Sequence, residues 1–421
     1  MPPADRRQSI RHSDRRAATA GGARRHPAQS RRTSEMSNVY TQTNEAENKI
    51  INFRQGADGR LTEVQRLPTG GRGTGGYTPV TGEESSPDSL ISSNSVIASR
   101  DRKYLFAVNA GNNTVSCFSI DADGTLKLSD VQGTGNDVSG KSGTANSLAY
   151  NGADGTLYVL HSFGPNHIRT FTAMGGKLTL RPQTRSVNSP GSTDRVPTQL
   201  VLTPDNKYLI ASVLFDARPG EAGLVLAKDK TLVTFPIMMG GGLGDPVFND
   251  AGGITPFANC FLHGSSDTFV TVLAAESSAV VSTIGPNGIV ASGKSAKIDT
   301  TIDGKVYEPS EICWISVSED NRYAFGTNFG YGTVSTFKIG PDGLAVRAST
   351  AARETGDGTF KGLAGVTSSG AGDNAVSGRF LYQLYANARK LVSYAIGDDG
   401  RLTKTTEVPV PYNSTQGLAA I

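Results

Sequence analysis

The sequence is poor in cysteine and histidine and has no long apolar run. Three of its 421 residues are cysteine and five are histidine. Because Cys117, Cys260 and Cys313 are odd in number and widely spaced, they predict neither a disulfide framework nor a structural zinc site. No segment reaches the roughly eighteen consecutive apolar residues of a transmembrane helix. We therefore expect no membrane span, no metal and no other cofactor.

The first 35 residues contain few acidic and few apolar side chains. They carry nine arginines against three acidic residues, a local charge of +6 within a total of +3. The segment has neither the apolar core of a secretory signal nor the amphipathic face of a transit peptide. We interpret residues 1–35 as a disordered Arg-rich extension, or as the result of a start codon placed upstream of Met36. A genuine binding or targeting tail is the alternative.

This interpretation predicts a cytoplasmic protein. Export would follow if residues 1–35 are not the true N-terminus or act as a noncanonical signal. An arginine-rich tail can bind nucleic acid, but the rest of the chain has a net charge of −3. We expect a monomer whose partner is a small-molecule substrate or ligand rather than nucleic acid.

A unit of about fifty residues recurs along the chain. Each copy opens on a short apolar run, and most copies continue with a tight-turn signal and a second strand-like run. A later turn contains glycine, which supplies the positive φ of tight hairpins. Four strands per copy at this period predict a seven-bladed β-propeller, an all-β fold with four antiparallel strands in each blade. The opening runs are residues 95–99, 147–151, 199–203, 258–262, 312–316, 363–367 and 417–421.

The two ends of the repeat array complement each other. Residues 39–59 supply strands of a blade that lacks its inner strand, whereas residues 417–421 form an inner strand that lacks a blade. Pairing them would close the ring and remove an exposed sheet edge. We therefore predict one propeller domain over residues 36–421.

In such a ring, the loops between the second and third strands gather around one mouth of the central channel. Unlike titratable residues at that mouth suit acid–base chemistry. We expect His161 and Glu276 to transfer protons, and two glycine-rich connections, residues 68–94 and 238–257, to act as flexible lids. The predicted substrate-binding residues are Arg195, Asp216, Arg218, Glu311, Asn109 and Asn328. A solvated histidine or an ion pair between loops fits the same residues.

Residues 104–126 and 313–328 resemble the lactonase-type seven-bladed propellers. This family includes bacterial 6-phosphogluconolactonase of the propeller type and fungal 3-carboxy-cis,cis-muconate lactonising enzyme, a 3-carboxymuconate cyclase. The resemblance implies a hydrolase or isomerase. In members of known activity, motifs with histidine and arginine precede two inner strands. The corresponding residues 195–200 and 254–258 contain neither histidine nor the motif arginine, whereas residues 274–276 keep the glutamate.

Two functions follow from these observations. The first is an enzyme that acts on a small lactone or unsaturated carboxylic acid at the channel mouth. The alternative is a non-catalytic propeller that binds a sugar, a metabolite or a protein partner, which the missing motif residues favour.

Overall fold

The computed structural model describes residues 37–137, 143–220 and 223–421, which form a ring of seven antiparallel sheets. This arrangement confirms the predicted seven-bladed propeller. The extension predicted for residues 1–35 lies outside the described residues, so its boundary stays a prediction. None of the helices in the described ranges is long and apolar enough to cross a membrane.

Blades 1 to 3 each contain four strands, and the fourth strand of blade 1 comes from the C-terminal end of the chain. Their outer strands are solvent-exposed on one face, as is typical of antiparallel sheets. The strands are β1 (Asn38–Gln42), β2 (Lys49–Gln55) and β3 (Leu61–Pro68) in blade 1; β4 (Val96–Ala98), β5 (Tyr104–Asn109), β6 (Thr114–Ile120) and β7 (Leu126–Gly133) in blade 2; and β8 (Ala145–Asn151), β9 (Thr156–His161), β10 (Ile168–Met174) and β11 (Lys177–Arg185) in blade 3.

Blades 4 and 5 follow the same order. Blade 4 has an additional strand, β14, beside the long β13. The strands are β12 (Val196–Leu202), β13 (Tyr208–Gly220), β14 (Gly223–Leu226), β15 (Leu232–Pro236) and β16 (Val247–Asn249) in blade 4, and β17 (Pro256–Phe261), β18 (Thr268–Leu273), β19 (Ser278–Gly285) and β20 (Gly288–Lys297) in blade 5.

Blades 6 and 7 complete the ring, and a small hairpin precedes blade 6. The described residues also include three single-turn 3₁₀ helices, at Met239–Gly241, Ala274–Glu276 and Phe329–Tyr331. The strands are β21 (Thr301–Ile302) and β22 (Lys305–Val306) in the hairpin; β23 (Ile312–Val317), β24 (Tyr323–Asn328), β25 (Thr333–Gly340) and β26 (Gly343–Arg353) in blade 6; β27 (Ala371–Ser377), β28 (Phe380–Tyr385), β29 (Lys390–Ile396) and β30 (Leu402–Pro409) in blade 7; and β31 (Gln416–Ala420), the inner strand of blade 1.

The ring closes where β1 pairs with β31. Tyr40 lies opposite Ala419 in the antiparallel register, and the Thr41 hydroxyl donates to the carbonyl oxygen of Gly417 across 2.7 Å. The predicted closure by the C-terminal strand is therefore confirmed. Because β1 pairs with β2 on one side and with β31 on the other, it has no unpaired edge to offer to another chain.

The turn between the first and second strands repeats one hydrogen-bond pattern. In blade 2 the Ser99 hydroxyl donates to Asp101 and accepts from the backbone N–H of Tyr104, with distances of 2.7 and 2.9 Å. Thr203 and Ser318 make the equivalent bonds in blades 4 and 6. These short side chains satisfy backbone groups that the strands leave unpaired, which is why a Ser/Thr-x-Asp triplet marks the turn.

The apolar core lies mainly between neighbouring blades. Phe106 of blade 2 is fully buried and belongs to the same cluster as Leu157 of blade 3, and Tyr158 of blade 3 packs with Leu209 of blade 4. Each strand therefore alternates between faces that contact the preceding and the following blade.

The prediction of the sixth inner strand is wrong. Residues 363–367 lie in the connection between blades 6 and 7, and the inner strand of blade 7 is β27. This strand includes Gly372, Asp373 and Asn374, which are depleted in strands generally. These residues interrupt the apolar pattern on which the prediction rested.

The prediction that residues 238–257 form a lid is also wrong for most of that segment. Residues 237–246 join β15 to β16, the third and fourth strands of blade 4. Tyr158 and Arg181 of blade 3 donate to the carbonyl oxygens of Gly241 and Gly240. The segment thus packs against blade 3, away from the channel mouth.

Candidate functional site

One mouth of the channel is covered by the connection between blades 1 and 2. This connection, residues 69–95, is called the lid segment. The indole N–H of Trp314 donates to the carbonyl oxygen of Ser92, and the backbone N–H of Ser93 donates to Thr198, both across 2.9 Å. Val80 and Leu90 are buried. The lid segment therefore does lie over the mouth, held by blades 4 and 6.

The opposite edge of the lid segment is bound by blade 7 and by the start of β31. The side-chain amide of Gln416 donates to the carbonyl oxygen of Pro87 across 3.0 Å, and that of Asn413 donates to the Ser85 hydroxyl across 3.1 Å. Together with the contacts to blades 4 and 6, these bonds hold the lid segment on both sides. They oppose the flexibility that its glycines predict.

Glu311 lies at the rim of this mouth, immediately before β23. Its backbone has a φ of 56°, a left-handed conformation that is uncommon for residues other than glycine. Its carboxylate accepts a hydrogen bond from the backbone N–H of Leu363. Residues held in such strained conformations cluster at active sites and ligand clamps.

Two glycines make room for the Glu311 carboxylate. A Cβ atom at Gly330 would lie 2.4 Å from its Oε1 atom, and one at Gly362 would lie 2.6 Å from the same atom. Burial, and to a lesser degree the nearby Glu83, raises the pKa of Glu311 to about 7, although the Leu363 N–H opposes the shift. A carboxyl group with this pKa exchanges protons efficiently near neutral pH.

His161 is fully buried at the end of β9. Its Nδ1 atom lies 3.1 Å from the carbonyl oxygen of His167, and its Nε2 atom lies 2.8 Å from the Thr134 hydroxyl. Because a carbonyl oxygen only accepts, Nδ1 carries the proton and Nε2 accepts from Thr134. Burial lowers the pKa of His161 to about 3. The ring is thus neutral and hydrogen-bonded at both nitrogens; its predicted catalytic role stays a prediction.

Glu276 occupies the 3₁₀ turn that follows β18. Its Oε1 atom accepts the backbone N–H of Ile254 across 2.9 Å, and a Cβ atom at Gly253 would lie 2.7 Å from its other carboxylate oxygen. The carboxylate therefore anchors the start of β17. No hydrogen bond joins Glu276 to His161 among the described residues.

The predicted arginines form ion pairs with neighbouring loops. Arg195 is 1% exposed; it pairs with Asp216 across 2.8 Å and donates to the carbonyl oxygens of Asp229 and Lys230. The structure thus joins Arg195 and Asp216, two of the predicted binding residues. Their contacts hold the strand-connecting loops of blade 4 together.

Arg218 makes a different pair. It donates to Asp194 across 2.5 Å, and its guanidinium lies 4.3 Å from the centre of the Phe163 ring. This arrangement combines an ion pair with a cation–π contact between blades 3 and 4. The Arg218 side chain remains about one-third exposed. Its predicted role in substrate binding is untested.

Asn109 and Asn328 perform the same local task in blades 2 and 6. The Asn109 amide donates to the hydroxyls of Thr114 and Ser116, and Asn328 donates to those of Thr333 and Ser335. Both side chains are fully buried. The recurrence of asparagine at this position therefore has a structural reason, which is to join the second and third strands.

Sequence reasoning missed a pair of buried acidic residues beneath the lid segment. Asp88 of the lid segment and Asp373 of β27 are 6% and 4% exposed. Burial and the charge of Asp373 raise the pKa of Asp88, and burial raises the pKa of Asp373 to about 7. Neither residue belongs to a recognisable motif, so only the fold brings them together. Within the described ranges, no group of three or more His, Cys, Asp or Glu residues is placed to hold a metal ion.

Comparison with known proteins agrees with the propeller fold described above. A sequence model of the lactonase seven-bladed β-propeller family matches residues 5–139. The resemblance to the lactonase-type propellers is confirmed. No curated protein has a significantly similar sequence.

Solved structures share the architecture of this seven-bladed propeller. The periplasmic gluconolactonase of Pseudomonas aeruginosa is 16% identical, with a TM-score of 0.62, over 92% of this chain and 99% of that protein. A Bacteroides fragilis protein provisionally named 6-phosphogluconolactonase is also 16% identical, with a TM-score of 0.62, over 93% and 99%. A Lactobacillus plantarum protein is 14% identical, with a TM-score of 0.62, over 92% and 99%. At these identities the likeness concerns the fold.

Proposed function

We propose that this propeller is a lactonase-like enzyme that opens a small lactone, or isomerises an unsaturated carboxylic acid, at the mouth beneath the lid segment. We assign the transfer of the proton to Glu311. The observation that carries the proposal is the strained backbone that places its carboxylate at the rim, against Gly330 and Gly362. The lactonase family match and the gluconolactonase fold support the class of reaction.

In lactone hydrolysis the Glu311 carboxylate would act as the general base. The Leu363 N–H orients one carboxylate oxygen, and the other accepts a proton from water as the water oxygen bonds to the carbonyl carbon. The ring C–O bond then breaks, and the proton passes from Glu311 to the leaving alkoxide. General base and acid catalysis of this kind typically contributes about 10²- to 10⁴-fold to the rate.

A panel of γ- and δ-lactones, together with muconates, tests the proposal in a pH-stat or by absorbance. With an active substrate, Glu311→Gln should lower kcat by about 100-fold or more, while leaving the fold intact by circular dichroism. Glu47→Gln is the control because Glu47 is an exposed acid in the loop between β1 and β2. His161→Ala and Glu276→Gln belong in the same series, since both remain predicted proton carriers.

The results of these assays distinguish between the candidate bases and between an enzyme and a binding protein. Turnover that survives Glu311→Gln but is lost in Glu276→Gln would reassign the base. The absence of turnover on every substrate, combined with saturable binding on a metabolite or glycan array, would instead support a non-catalytic binding propeller. The extensive contacts of the lid segment with blades 4, 6 and 7 favour this second candidate, because they restrict access to the mouth.

The compartment is a separate proposal. One structural relative is described as periplasmic, whereas we propose a cytoplasmic location for this chain on the basis of residues 1–35. Cell fractionation, with N-terminal sequencing of the purified protein, distinguishes retention from export and also shows whether the chain begins near Met36.

A further inference from the structure

Five buried oxygen-bearing side chains lie in the lid segment or in the strands against which it packs. We call this group the lid chamber. Its members come from the lid segment, from β27 and from the start of β31, and each is at most 6% exposed. They are Asp88, Ser92, Ser95, Asp373 and Gln416.

Short contacts place these residues side by side. The backbone N–H of Gly417 donates to Asp373 Oδ2 across 2.9 Å, and a Cβ atom at Gly417 would lie 2.4 Å from Ser95 Oγ. Gln416 donates its amide to the carbonyl oxygen of Pro87, the residue before Asp88. The chamber is thus assembled from segments that are distant in sequence.

Several oxygens of the lid chamber have no hydrogen-bond partner among the described residues. They are Asp88 Oδ1, Ser92 Oγ, Ser95 Oγ and Gln416 Oε1. No lysine, arginine or histidine within the described ranges forms an ion pair with either carboxylate. Backbone N–H groups of Ile91 and Ser92 donate to the Asp88 carboxylate, and that of Gly417 donates to Asp373. The four unpaired oxygens that remain are costly to bury unless a cation or a hydrogen-bond donor lies beside them.

We propose that the lid chamber binds one Ca²⁺ ion. The potential ligands are all oxygen atoms, from two carboxylates, an amide and two hydroxyls, which is the ligand type of hard cations. The irregular origin of these ligands favours Ca²⁺, which accepts six to eight oxygens in flexible geometry, over Mg²⁺, which requires a near-ideal octahedron. The absence of sulfur and imidazole from the five members argues against Zn²⁺.

The bound ion would join the lid segment to blades 7 and 1. Asp88 belongs to the lid segment, whereas Asp373 belongs to β27 and Gln416 to β31. The cation would neutralise the two negative charges of Asp88 and Asp373. This inference goes beyond the proposed reaction and does not depend on Glu311.

Trp314 provides a direct spectroscopic test. It is the single tryptophan of the chain, its indole N–H donates to the carbonyl oxygen of Ser92, and it lies beside the Asp373 carboxylate. Tb³⁺ that replaces Ca²⁺ in the chamber should therefore show luminescence on excitation of the indole. We expect saturable Tb³⁺ emission from the full-length, EDTA-treated protein, at about one ion per chain, and its displacement by Ca²⁺.

Variants make the test specific. Asp88→Asn and Asp373→Asn should each weaken Ca²⁺ binding by about 10-fold or more in isothermal titration calorimetry, and both should abolish the rise in melting temperature that Ca²⁺ produces. Asp399→Asn, at an exposed hairpin turn, is the control and should bind as the unmodified protein does. Sensitised emission that persists in both chamber variants would overturn the proposal.

A second result would also overturn it. If Ca²⁺ has no effect while Asp373→Asn stabilises the protein above neutral pH, the two carboxyl groups share a proton rather than a cation. Because the readouts are binding and melting temperature, failure here leaves the lactone assay with Glu311→Gln unaffected.

Discussion

The indole N–H of Trp314 donates to the carbonyl oxygen of Ser92 across 2.9 Å, and thereby joins blade 6 to a lid segment more than 200 residues earlier in the chain. Trp314 also packs against Phe257 of blade 5, with 4.9 Å between ring centres. One side chain thus connects two blades and the cover of the channel mouth. The stability of the lid and that of the ring are coupled through it.

Replacing Trp314 by phenylalanine should loosen the lid segment. The change removes the hydrogen bond to Ser92 and leaves a buried carbonyl without its donor, which costs about 1–3 kcal/mol of unfolding free energy. Urea unfolding measures this loss, and limited proteolysis should show new cleavage within residues 69–95. Phe337→Leu, a core change in the same blade, is the control. Equal protease resistance of the lid segment in Trp314→Phe and the unmodified protein would contradict the coupling.

Gly330→Ala should disturb Glu311 without a backbone penalty. Gly330 has no left-handed φ, but the added Cβ would lie 2.4 Å from Glu311 Oε1. Overpacking of this kind typically costs about 1–3 kcal/mol, and the displaced carboxylate should become more exposed and more acidic.

The measurements are the urea midpoint and, with an active substrate, the dependence of kcat on pH, whose acidic limb should move below pH 7. Gly133→Ala is the control because a Cβ atom there meets no neighbour within 4 Å. An unchanged pH profile in Gly330→Ala would count against Glu311 as the base.

The buried histidines of blade 3 should make the protein sensitive to acid. Burial lowers the pKa of His161 to about 3 and that of His167 to about 4. Between these values and the usual pKa near 6.5 the unfolded chain binds more protons than the folded one, so stability falls as pH falls through that window. Urea midpoints measured from pH 7.5 to 4.5 follow the effect.

His161→Ala should be less stable at neutral pH, by about 2 kcal/mol, yet lose less stability on acidification than the unmodified protein. His263→Ala, which changes an exposed histidine, should retain the full acid sensitivity. If the acid sensitivity is the same in His161→Ala, another group is responsible for it.

Removing residues 416–421 should open the ring. The truncation leaves the inner edge of β1 unpaired and exposes the backbone groups that now bond to β31. We expect aggregation in size-exclusion chromatography and loss of a cooperative thermal transition. Removal of residues 1–35 is the companion experiment and should leave the melting temperature unchanged if the domain begins near residue 36.

Most of the fold could be predicted from repeated local signals. Ser99, Thr203 and Ser318 mark the same turn because each satisfies nearby backbone groups with its own side chain. The inner strand of blade 7 escaped prediction because Gly372, Asp373 and Asn374 interrupt the apolar pattern. Their partners, such as the Gly417 N–H that donates to Asp373, come from other parts of the chain and are not visible in the local sequence.

The candidate site was less predictable. His161, Arg195, Asn109 and Asn328 lie at the positions the repeat indicated, yet the structure gives each of them partners within the fold. Glu311 differs from these because its backbone is strained and glycines of two loops surround its carboxylate. The sequence shows neither the φ of a residue nor the distance between loops of different blades.

The amino-acid sequence by itself determined the number of blades, the turns and the closure of the ring, because these depend on short-range hydrogen bonds and on a pattern that recurs along the chain. Only the tertiary structure decided that residues 69–95 cover the channel mouth and that Asp88 lies beside Asp373. Their proximity results from the path of one irregular connection across the ring, and no periodic signal encodes that path.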